Sequence, residues 1–289
     1  MPHTLLYFIA LFCLSTSPNW AKLNHMPVEI LGFYRLALAC SLLGIWILWR
    51  RQFTLLRPHK NLYWVILSGV FFFLHLWTYK YASKTTSVSN TMILFSSNPI
   101  WASLGAIAFF KEHLQKRLII SYLLALVGVY LLVAHDFNLS SENSRGDWAA
   151  VLSAVFYSAY MLTGKKARHH YDNLDFSLLL YGVCALCFFL CVLQTGAPLT
   201  GYDSLSWWAV VGLVALPTFL GHLSFTYLVK TMNLSLLSCG KLIEPVMASI
   251  MAYFIFHEVL SPYAWISFTL TTASVVILFA PALLRAIRK

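Results

Sequence analysis

Long apolar runs alternate with short polar or charged segments along the whole chain, and this pattern predicts a series of membrane-spanning helices. A helix needs about 17 to 25 apolar residues to cross the hydrocarbon core of a bilayer. Charges and turn residues divide the sequence into ten predicted spans of that length: Thr4–Ala21, Val28–Trp49, Leu62–Tyr79, Thr86–Phe110, Leu118–Ala134, Trp148–Gly164, Phe176–Gln194, Ser206–Val229, Met232–Phe256 and Pro262–Leu284. The predicted fold class is an all-α membrane protein with ten transmembrane helices.

Composition agrees with this pattern and excludes a soluble domain. Hydrophobic residues make up 60% of the chain and charged residues only 10%, whereas soluble domains carry about 25% charged residues. The formal charge of +10 could suggest a nucleic-acid partner. However, the basic residues form short clusters between apolar runs and no continuous basic face, so no nucleic-acid binding is expected. The lipid bilayer is the predicted partner.

The distribution of Lys and Arg predicts the orientation of the chain, because cytoplasmic loops carry an excess of both residues. With the N-terminus inside, fourteen lie in cytoplasmic segments and four opposite: Arg50, Arg51, Arg57, Lys60, Lys111, Lys116, Arg117, Lys165, Lys166, Arg168, Lys230, Arg285, Arg288 and Lys289, against Lys22, Lys80, Lys84 and Arg145. This bias predicts cytoplasmic termini and a multi-pass protein of the bacterial cell (inner) membrane.

Two stretches recur at a constant shift of 146 residues, which indicates an internal repeat. The sequence YASKT at 81–85 matches YLVKT at 227–231, and PIWAS at 99–103 matches PVMAS at 245–249. The connector His135–Asp147 is polar and marks the midpoint between a first half, 1–143, and a second half, 144–289. Because each half has five predicted spans, the second would enter the membrane in the opposite direction. Inverted repeats of this kind are typical of secondary transporters.

The chain resembles the drug/metabolite transporter superfamily, specifically its EamA-type ten-helix members. The residues that carry the resemblance are Asn19-Trp20-Ala21-Lys22, Pro27, Arg35, Pro99, Lys111-Glu112, Gly128, Glu244-Pro245 and His257-Glu258. Asn98 stands before the first-half proline where the second half has Glu244, and Lys111 and His257 replace the small residue usual before the acidic one. The resemblance implies a transporter of small organic solutes, with a cavity lined by spans one, three, four, six, eight and nine, and with spans five and ten at the periphery.

The ninth predicted span carries Lys241, Glu244 and Pro245 in its middle. A charge at bilayer depth costs about 2.5–3.5 kcal/mol on insertion scales, so such charges usually have a function. Lys241 and Glu244 are three residues apart on one helix and can touch. One interpretation is a salt bridge that only neutralises both. The other is that Glu244 is the proton- or ion-responsive group and Lys241 meets an anionic group of the substrate.

The repeat separates shared features from features of one half only. It aligns the three intramembrane charges with uncharged residues: Lys241 with Phe95, Glu244 with Asn98, and Arg35 with Tyr181. These charges therefore need a reason other than shared packing. Pro99 and Pro245 are shared by the two halves, and each is expected to free a backbone carbonyl four residues earlier, at Phe95 and Lys241. Such kinks serve either as hinges in cavity walls or for packing alone.

Other polar and aromatic residues inside spans complete the candidate substrate-binding or coupling set. Arg35 is either an interfacial anchor or a cavity residue. His75 and His222 are either proton relays or hydrogen-bonded core residues. Asn98 occupies the position that corresponds to Glu244, and Trp20 and Tyr79 could form aromatic walls of a cavity.

The sequence contains no glycine-rich phosphate loop and no H-E-x-x-H motif, so neither an enzyme nor a cofactor or metal is expected. The function predicted is secondary active transport, by proton coupling or exchange, of a small organic metabolite. An amino-acid-like solute is one candidate, because a substrate with both charge signs would complement Lys241 and Glu244. An intramembrane enzyme acting on lipid-like substrates and a non-transporting scaffold are the alternatives. Monomer and dimer both stay open.

Overall fold

The computed structural model describes residues 3–50, 61–86, 91, 94–113, 115–133, 144–257 and 263–287. In these ranges every regular element is helical: α1 His3–Ser15, α2 Ser17–Lys22, α3 Val28–Trp49, α4 Leu62–Thr85, α5 Asn98–Phe110, α6 Lys116–Val133, α7 Ser144–Ala167, α8 Asn173–Thr195, α9 Ser204–Leu213, a π-helix Val214–Leu223, α10 Ser224–Thr231, α11 Leu234–Gly240, a 3₁₀ turn Lys241–Ile243, α12 Glu244–Phe256 and α13 Tyr263–Ile287. The predicted all-α class is confirmed.

Six described segments are long and apolar enough to cross a membrane: Val28–Trp49, Leu62–Ala82, Asn173–Thr195, Ser204–Thr231, Leu234–Phe256 and Tyr263–Ala280. The helix Asn98–Phe110 is apolar but shorter. Ten spans and cytoplasmic termini stay predictions. Residues 87–90 and 92–93 of the predicted fourth span, most of the midpoint connector, Glu258 and Pro262 lie outside the described residues.

Within the described residues, four predicted spans are interrupted where the sequence pattern predicts a continuous helix. The fourth has a turn at Ser96 and Ser97, just before Pro99 in the first turn of α5. The first divides at Thr16, with Pro18 in the first turn of α2. The eighth changes from α9 to a π-helix that contains Pro217. The ninth divides into α11, a 3₁₀ turn and α12, and Pro245 lies in the first turn of α12. Proline cannot donate a backbone hydrogen bond and clashes with the preceding turn, so each break lies at or just before a proline.

Pro245 was expected to leave the Lys241 carbonyl without a hydrogen-bond donor, and the structure corrects this expectation. The chain tightens into the 3₁₀ turn, and the Glu244 backbone N–H donates to the Lys241 carbonyl. A 3₁₀ bond spans three residues instead of four, so it can satisfy the carbonyl that Pro245 cannot reach. The break therefore does not expose this carbonyl to the interior.

The packed pairs of helices are related by the 146-residue shift of the sequence repeat. Helix α3 packs on α8, and α6 packs on α13; within each pair the shift carries one member onto the other. Helix α4 packs on α7, and α1 packs on the π-helix in the corresponding place. The interior of the bundle is filled by fully buried large side chains from α1, α4, α7, α8 and α10, among them Tyr7, Phe72, Tyr157, Tyr160, Tyr181 and Phe225.

The α6–α13 interface contains two contacts at positions related by the same shift. Ser274 Oγ donates to the Ser121 carbonyl at 2.7 Å. Across the interface, a Cβ on Gly128 would lie 3.1 Å from the Ser267 carbonyl and 2.7 Å from Thr271 Cγ2, so the helices approach closely there. Positions 121 and 128 map onto 267 and 274. This is the arrangement that a local two-fold axis produces.

Candidate functional site

The 3₁₀ turn places Lys241 and Glu244 against each other in the middle of the ninth span. Lys241 Nζ lies 2.7 Å from Glu244 Oε1, and the two side chains are 9% and 22% exposed. A 3₁₀ turn stacks side chains three residues apart more closely than an α-helix does, because it has three residues per turn. The local backbone thus forms the ion pair that the sequence spacing allows.

Two aromatic rings from other helices cover the Lys241 ammonium group. Its Nζ lies 4.7 Å from the ring centroid of Tyr157, on α7, and 5.2 Å from that of Phe225, on α10. An ammonium ion over a ring face within about 6 Å is attracted by the ring quadrupole. The Lys241 cation therefore has one carboxylate and two aromatic faces as neighbours, and these come from three segments of the chain.

His75, on α4, extends this cluster. Its ring centroid lies 4.8 Å from that of Tyr157 and 5.3 Å from that of Phe95. Its Nδ1 lies 2.9 Å from Ser153 Oγ, and the same hydroxyl donates to the His75 carbonyl at 3.2 Å. Because the hydroxyl proton is already used, this geometry favours a proton on Nδ1 that the hydroxyl oxygen accepts. His75 therefore joins α4 to α7 beside the Lys241–Glu244 pair.

Arg35, on α3, reaches the π-helix. Its Nε donates to Thr218 Oγ1 at 2.9 Å, and that hydroxyl donates to the Leu213 carbonyl at 2.8 Å. Tyr181 Oη donates to the Thr218 carbonyl at 3.3 Å. A π-helix leaves carbonyls and side chains in irregular positions and is frequently found at functional sites. The wide turn is what places the Thr218 hydroxyl between Arg35 and its own helix.

Besides Glu244 Oε1, whose described neighbour is the ion-paired Lys241 Nζ, four buried polar atoms in this region have no hydrogen-bond partner within the described part of the chain. They are Arg35 Nη2, His222 Nδ1, Tyr157 Oη and Tyr160 Oη. More than about 90% of buried polar groups in proteins are hydrogen-bonded to protein or water. Several such atoms in one region are therefore potential hydrogen-bond partners for a polar ligand or water. His222 and Tyr160 both contact the ring of Phe72, with centroid distances of 5.0 and 4.8 Å.

The Lys241–Glu244 pair, its aromatic neighbours and the Arg35–Thr218 contact form the centre of the candidate site. The remaining candidates lie at different distances from this centre. Tyr79 belongs to it, with its ring centroid 5.4 Å from that of Phe95. Asn98 instead holds two helices together, since its Nδ2 donates to Ser158 Oγ at 2.9 Å. Pro99 and Pro245 each lie in the first turn of a helix, α5 and α12 respectively.

Trp20 lies apart from the Lys241–Glu244 pair in the described contacts. Its ring packs over Gly212 of α9, where an added Cβ would be 2.6 Å from the ring atoms. It belongs to a separate hydrophobic cluster with Met26, Ile30 and Leu213. The structure thus gives Trp20 a packing contact.

Three residues of the centre were missed by sequence reasoning. Tyr157 and Phe225 lie in apolar stretches rich in aromatic residues, where no local pattern distinguishes a cation-facing ring from a packing one. Thr218 had a signal, because it follows Pro217 inside a span and polar residues beside a mid-span proline can bond to the altered backbone.

A second buried ion pair lies where α5 and α7 end. Lys165 Nζ is 2.6 Å from Glu112 Oε1, and the side chains are 13% and 9% exposed. The same oxygen accepts from the Leu234 backbone N–H at 3.3 Å, and Lys165 also donates to the Met232 carbonyl at 3.4 Å. Glu112 therefore ties α5 to α7 and to the start of α11.

A membrane helix bundle with interrupted helices and a largely buried, aromatic-lined pair of charged residues is typical of membrane transporters. The chain belongs to the EamA-like transporter family, whose model matches residues 1–134 and 144–280. As a member of this family, the protein is a multi-pass protein of the cell membrane, and it is a transporter and not an enzyme.

Similar proteins agree with this assignment. A relative from Archaeoglobus fulgidus is 26% identical over 208 residues, which is 71% of each chain. A second from that organism is 28% identical over 151 residues, half of each chain. One from Clostridium kluyveri is 26% identical over 192 residues, 62% of this chain and 59% of the relative. All three are named uncharacterized transporters.

A crystal structure of another protein aligns with this chain with a TM-score of 0.83, over 99% of both chains and at 20% identity. This likeness shows a shared fold.

Proposed function

We propose that the protein is a secondary active transporter that moves a small, amino-acid-like organic metabolite across the cell membrane by alternating access. The observation that carries the proposal is the Lys241–Glu244 pair at 2.7 Å, next to buried polar atoms without partners in the described residues. A solute with both charge signs complements this pair. An inert apolar pair would avoid the cost of two charges in the bilayer.

The architecture proposed with this function is ten helices in two inverted repeats, 1–143 and 144–289, with both termini in the cytoplasm. The exchanged contacts of the α6–α13 interface support a two-fold relationship between the halves. The excess of Lys and Arg in alternate loops supports the orientation. Pro99 and Pro245, at corresponding helix starts, are the proposed hinges.

Glu244 is the proposed coupling group. It is the carboxylate of the central pair, and a proton on it would release Lys241 from its ionic partner. Loss of one member of a buried ion pair strongly disfavours the charge that is left behind. Protonation of Glu244 and rearrangement of Lys241 would therefore be coupled. His75 and His222 are the candidate relays, and a monomer is sufficient for this scheme.

Flux in proteoliposomes tests the proposal. Purified protein is reconstituted, a mixture of radiolabelled amino acids is supplied, and counterflow is measured with and without an imposed pH gradient. We expect Glu244→Gln to remove the response to the pH gradient and Lys241→Met to lower flux strongly. Glu29→Gln is the matched carboxylate control, since Glu29 lies in the first turn of α3. Wild-type flux in Glu244→Gln at every pH would refute the coupling role.

A further inference from the structure

The surroundings of the Lys241 ammonium group are those that proteins use to bind an organic ammonium ion. Its Nζ has the Glu244 carboxylate at 2.7 Å and the faces of Tyr157 and Phe225 at 4.7 and 5.2 Å. A carboxylate with aromatic faces is a cation-binding arrangement. Here the cation belongs to the chain itself and is tethered three residues from its carboxylate.

We propose that the Lys241 ammonium occupies the position of the substrate's own ammonium group, so that an ammonium-bearing substrate takes its place at Glu244 during binding. This inference rests on the proposed transport function and specifies its substrate. The entering ammonium acquires Glu244 and the two rings, and Lys241 moves away from them. The freed lysine then requires a new partner inside the membrane.

Charge balance decides which substrates can make this exchange. A zwitterion brings a carboxylate for the displaced Lys241, so two ion pairs replace one and no charge is left alone. A simple amine brings none, and its binding leaves the Lys241 ammonium without an anion. An unpaired buried charge is strongly unfavourable. Lys241 therefore acts as the residue that admits amino acids and rejects amines of the same shape.

Two of the polar atoms without partners in the described residues belong to aromatic residues of the Lys241 cluster and could serve this exchange. Tyr157 Oη belongs to the ring that covers Lys241, and Tyr160 Oη lies on the same helix, with the two ring centroids 5.6 Å apart. Both hydroxyls can accept from an ammonium or donate to a carboxylate. Phe72 and Phe95 provide apolar surface in the same cluster for an aliphatic or aromatic side chain.

The test compares three ligands of one shape: leucine, its decarboxylated analogue isoamylamine and its deaminated analogue isocaproate. Binding to purified full-length protein is measured by isothermal titration calorimetry. We expect the wild type to prefer leucine. Lys241→Met should bind isoamylamine about tenfold more tightly than the wild type does and leucine about tenfold more weakly, a difference of about one decade in Kd each way.

Two further variants separate the exchange from a general loss of structure. In the Lys241→Met background, Tyr157→Leu should weaken isoamylamine binding by about threefold to thirtyfold, because it removes one ring face. Glu244→Gln in that background should abolish isoamylamine binding. Lys22→Met is the matched control, since Lys22 is exposed and its Nζ lies 4.6 Å from the Phe256 ring, away from Glu244. It should leave the order of the three affinities unchanged.

The proposal is overturned if Lys241→Met weakens all three ligands equally, or fails to improve isoamylamine binding while remaining monodisperse and helical. It is also overturned if neither protein binds any of the three. Because binding is measured without a membrane gradient, these outcomes are distinct from a failure of flux in proteoliposomes. Flux of another solute with no exchange at Glu244 would retain the transporter and reject this substrate site.

Discussion

Lys111 and His257 adopt the same left-handed backbone conformation, with φ of 53° and 54°, at positions 146 residues apart. Each follows a helix of 13 residues that has a proline in its first turn. After α5 the Glu112 backbone N–H donates to the Ala106 carbonyl, the long bond that closes a helix with a left-handed residue. The two halves thus end corresponding helices with a residue in the same left-handed conformation.

This conformation costs a non-glycine residue about 1–2 kcal/mol. We therefore expect Lys111→Gly and His257→Gly each to raise the free energy of unfolding by up to about 1 kcal/mol, partly offset by the greater backbone freedom of glycine in the unfolded chain. Lys111→Val should destabilise, because a β-branched residue disfavours positive φ. Thermal unfolding in detergent measures both. Lys111→Ala controls for loss of the lysine side chain, and equal melting temperatures for Gly and Val would contradict the prediction.

The Glu112–Lys165 pair predicts a strong energetic coupling. Each side chain is at most 13% exposed, and Glu112 Oε1 also accepts from the Leu234 backbone. Removing one partner of a buried pair typically costs about 3–5 kcal/mol, because a buried charge is left alone. Lys165→Met and Glu112→Leu should therefore each destabilise strongly.

The double variant should be less destabilised than the sum of the two single variants, because neither charge then remains. Unfolding free energies of the four proteins form a double-mutant cycle. Exposed Lys166→Met, at the neighbouring position, is the control and should change stability by less than about 0.5 kcal/mol. Additive single effects would mean that the two side chains do not stabilise each other.

Local patterns were enough to predict the helices and the ion pair of the ninth span. Apolar runs of membrane length predict helices, and a separation of three residues allows Lys241 to reach Glu244. The partners from other helices, Tyr157 and Phe225, were out of reach, because helix rotation is set by packing throughout the bundle. For the same reason Asn98 could not be distinguished as a residue that joins α5 to α7.

The prolines in the sequence indicated where the helices are interrupted, but their positions did not predict whether the interruption is a 3₁₀ turn or a π-helix. Pro245 follows a 3₁₀ turn, whereas Pro217 lies within a π-helix of ten residues. Which form is adopted depends on what the displaced backbone groups find nearby. At the π-helix, the Thr218 hydroxyl bonds to the Leu213 carbonyl and to Arg35, a residue distant in sequence. The repeat gave no guidance, since the corresponding part of α4 is regular.

The packing of Trp20 predicts that Gly212 cannot be enlarged. A Cβ at Gly212 would lie 2.6 Å from ring atoms of Trp20, whereas at Gly182 the nearest atom would be Cys40 Sγ at 3.5 Å. Gly212→Ala should therefore destabilise by about 1–3 kcal/mol, the usual cost of overpacking. Gly182→Ala is the matched control and should be neutral or stabilising. Melting temperatures compare them.

A second substitution identifies Trp20 as the residue that collides. Trp20→Leu should destabilise the parent protein through lost packing, but combined with Gly212→Ala it should recover part of the stability lost by Gly212→Ala alone. Ligand affinity should change little, since Trp20 has no described contact with the Lys241–Glu244 pair. A large loss of affinity with stability retained would instead place Trp20 at the substrate.

The Thr218 hydroxyl connects Arg35 to the π-helix, so removing this hydroxyl should lower both the stability of the protein and its transport activity. Thr218→Val leaves Arg35 Nε without its acceptor at 2.9 Å, beside Arg35 Nη2, which already has no partner in the described residues. An unsatisfied buried group that is charged costs about 1–3 kcal/mol or more. We expect a corresponding loss of stability and a marked fall in flux, while Thr218→Ser should retain both.

Thr271→Val provides the matched control, because the buried Thr271 hydroxyl donates within its own helix, to the Ser267 carbonyl at 2.7 Å and the Phe268 carbonyl at 3.3 Å, and has no bond to another helix among the described residues. It should cost less than Thr218→Val in both unfolding and flux. The two measurements also decide the role of Arg35. If Arg35 is an anchor, Thr218→Val should lower flux only in proportion to the loss of folded protein. If Arg35 is a cavity residue, Thr218→Val should also change the substrate affinity of the protein that remains folded. Equal effects of the two valine substitutions would show that the Arg35–Thr218 bond contributes nothing beyond a local hydroxyl contact.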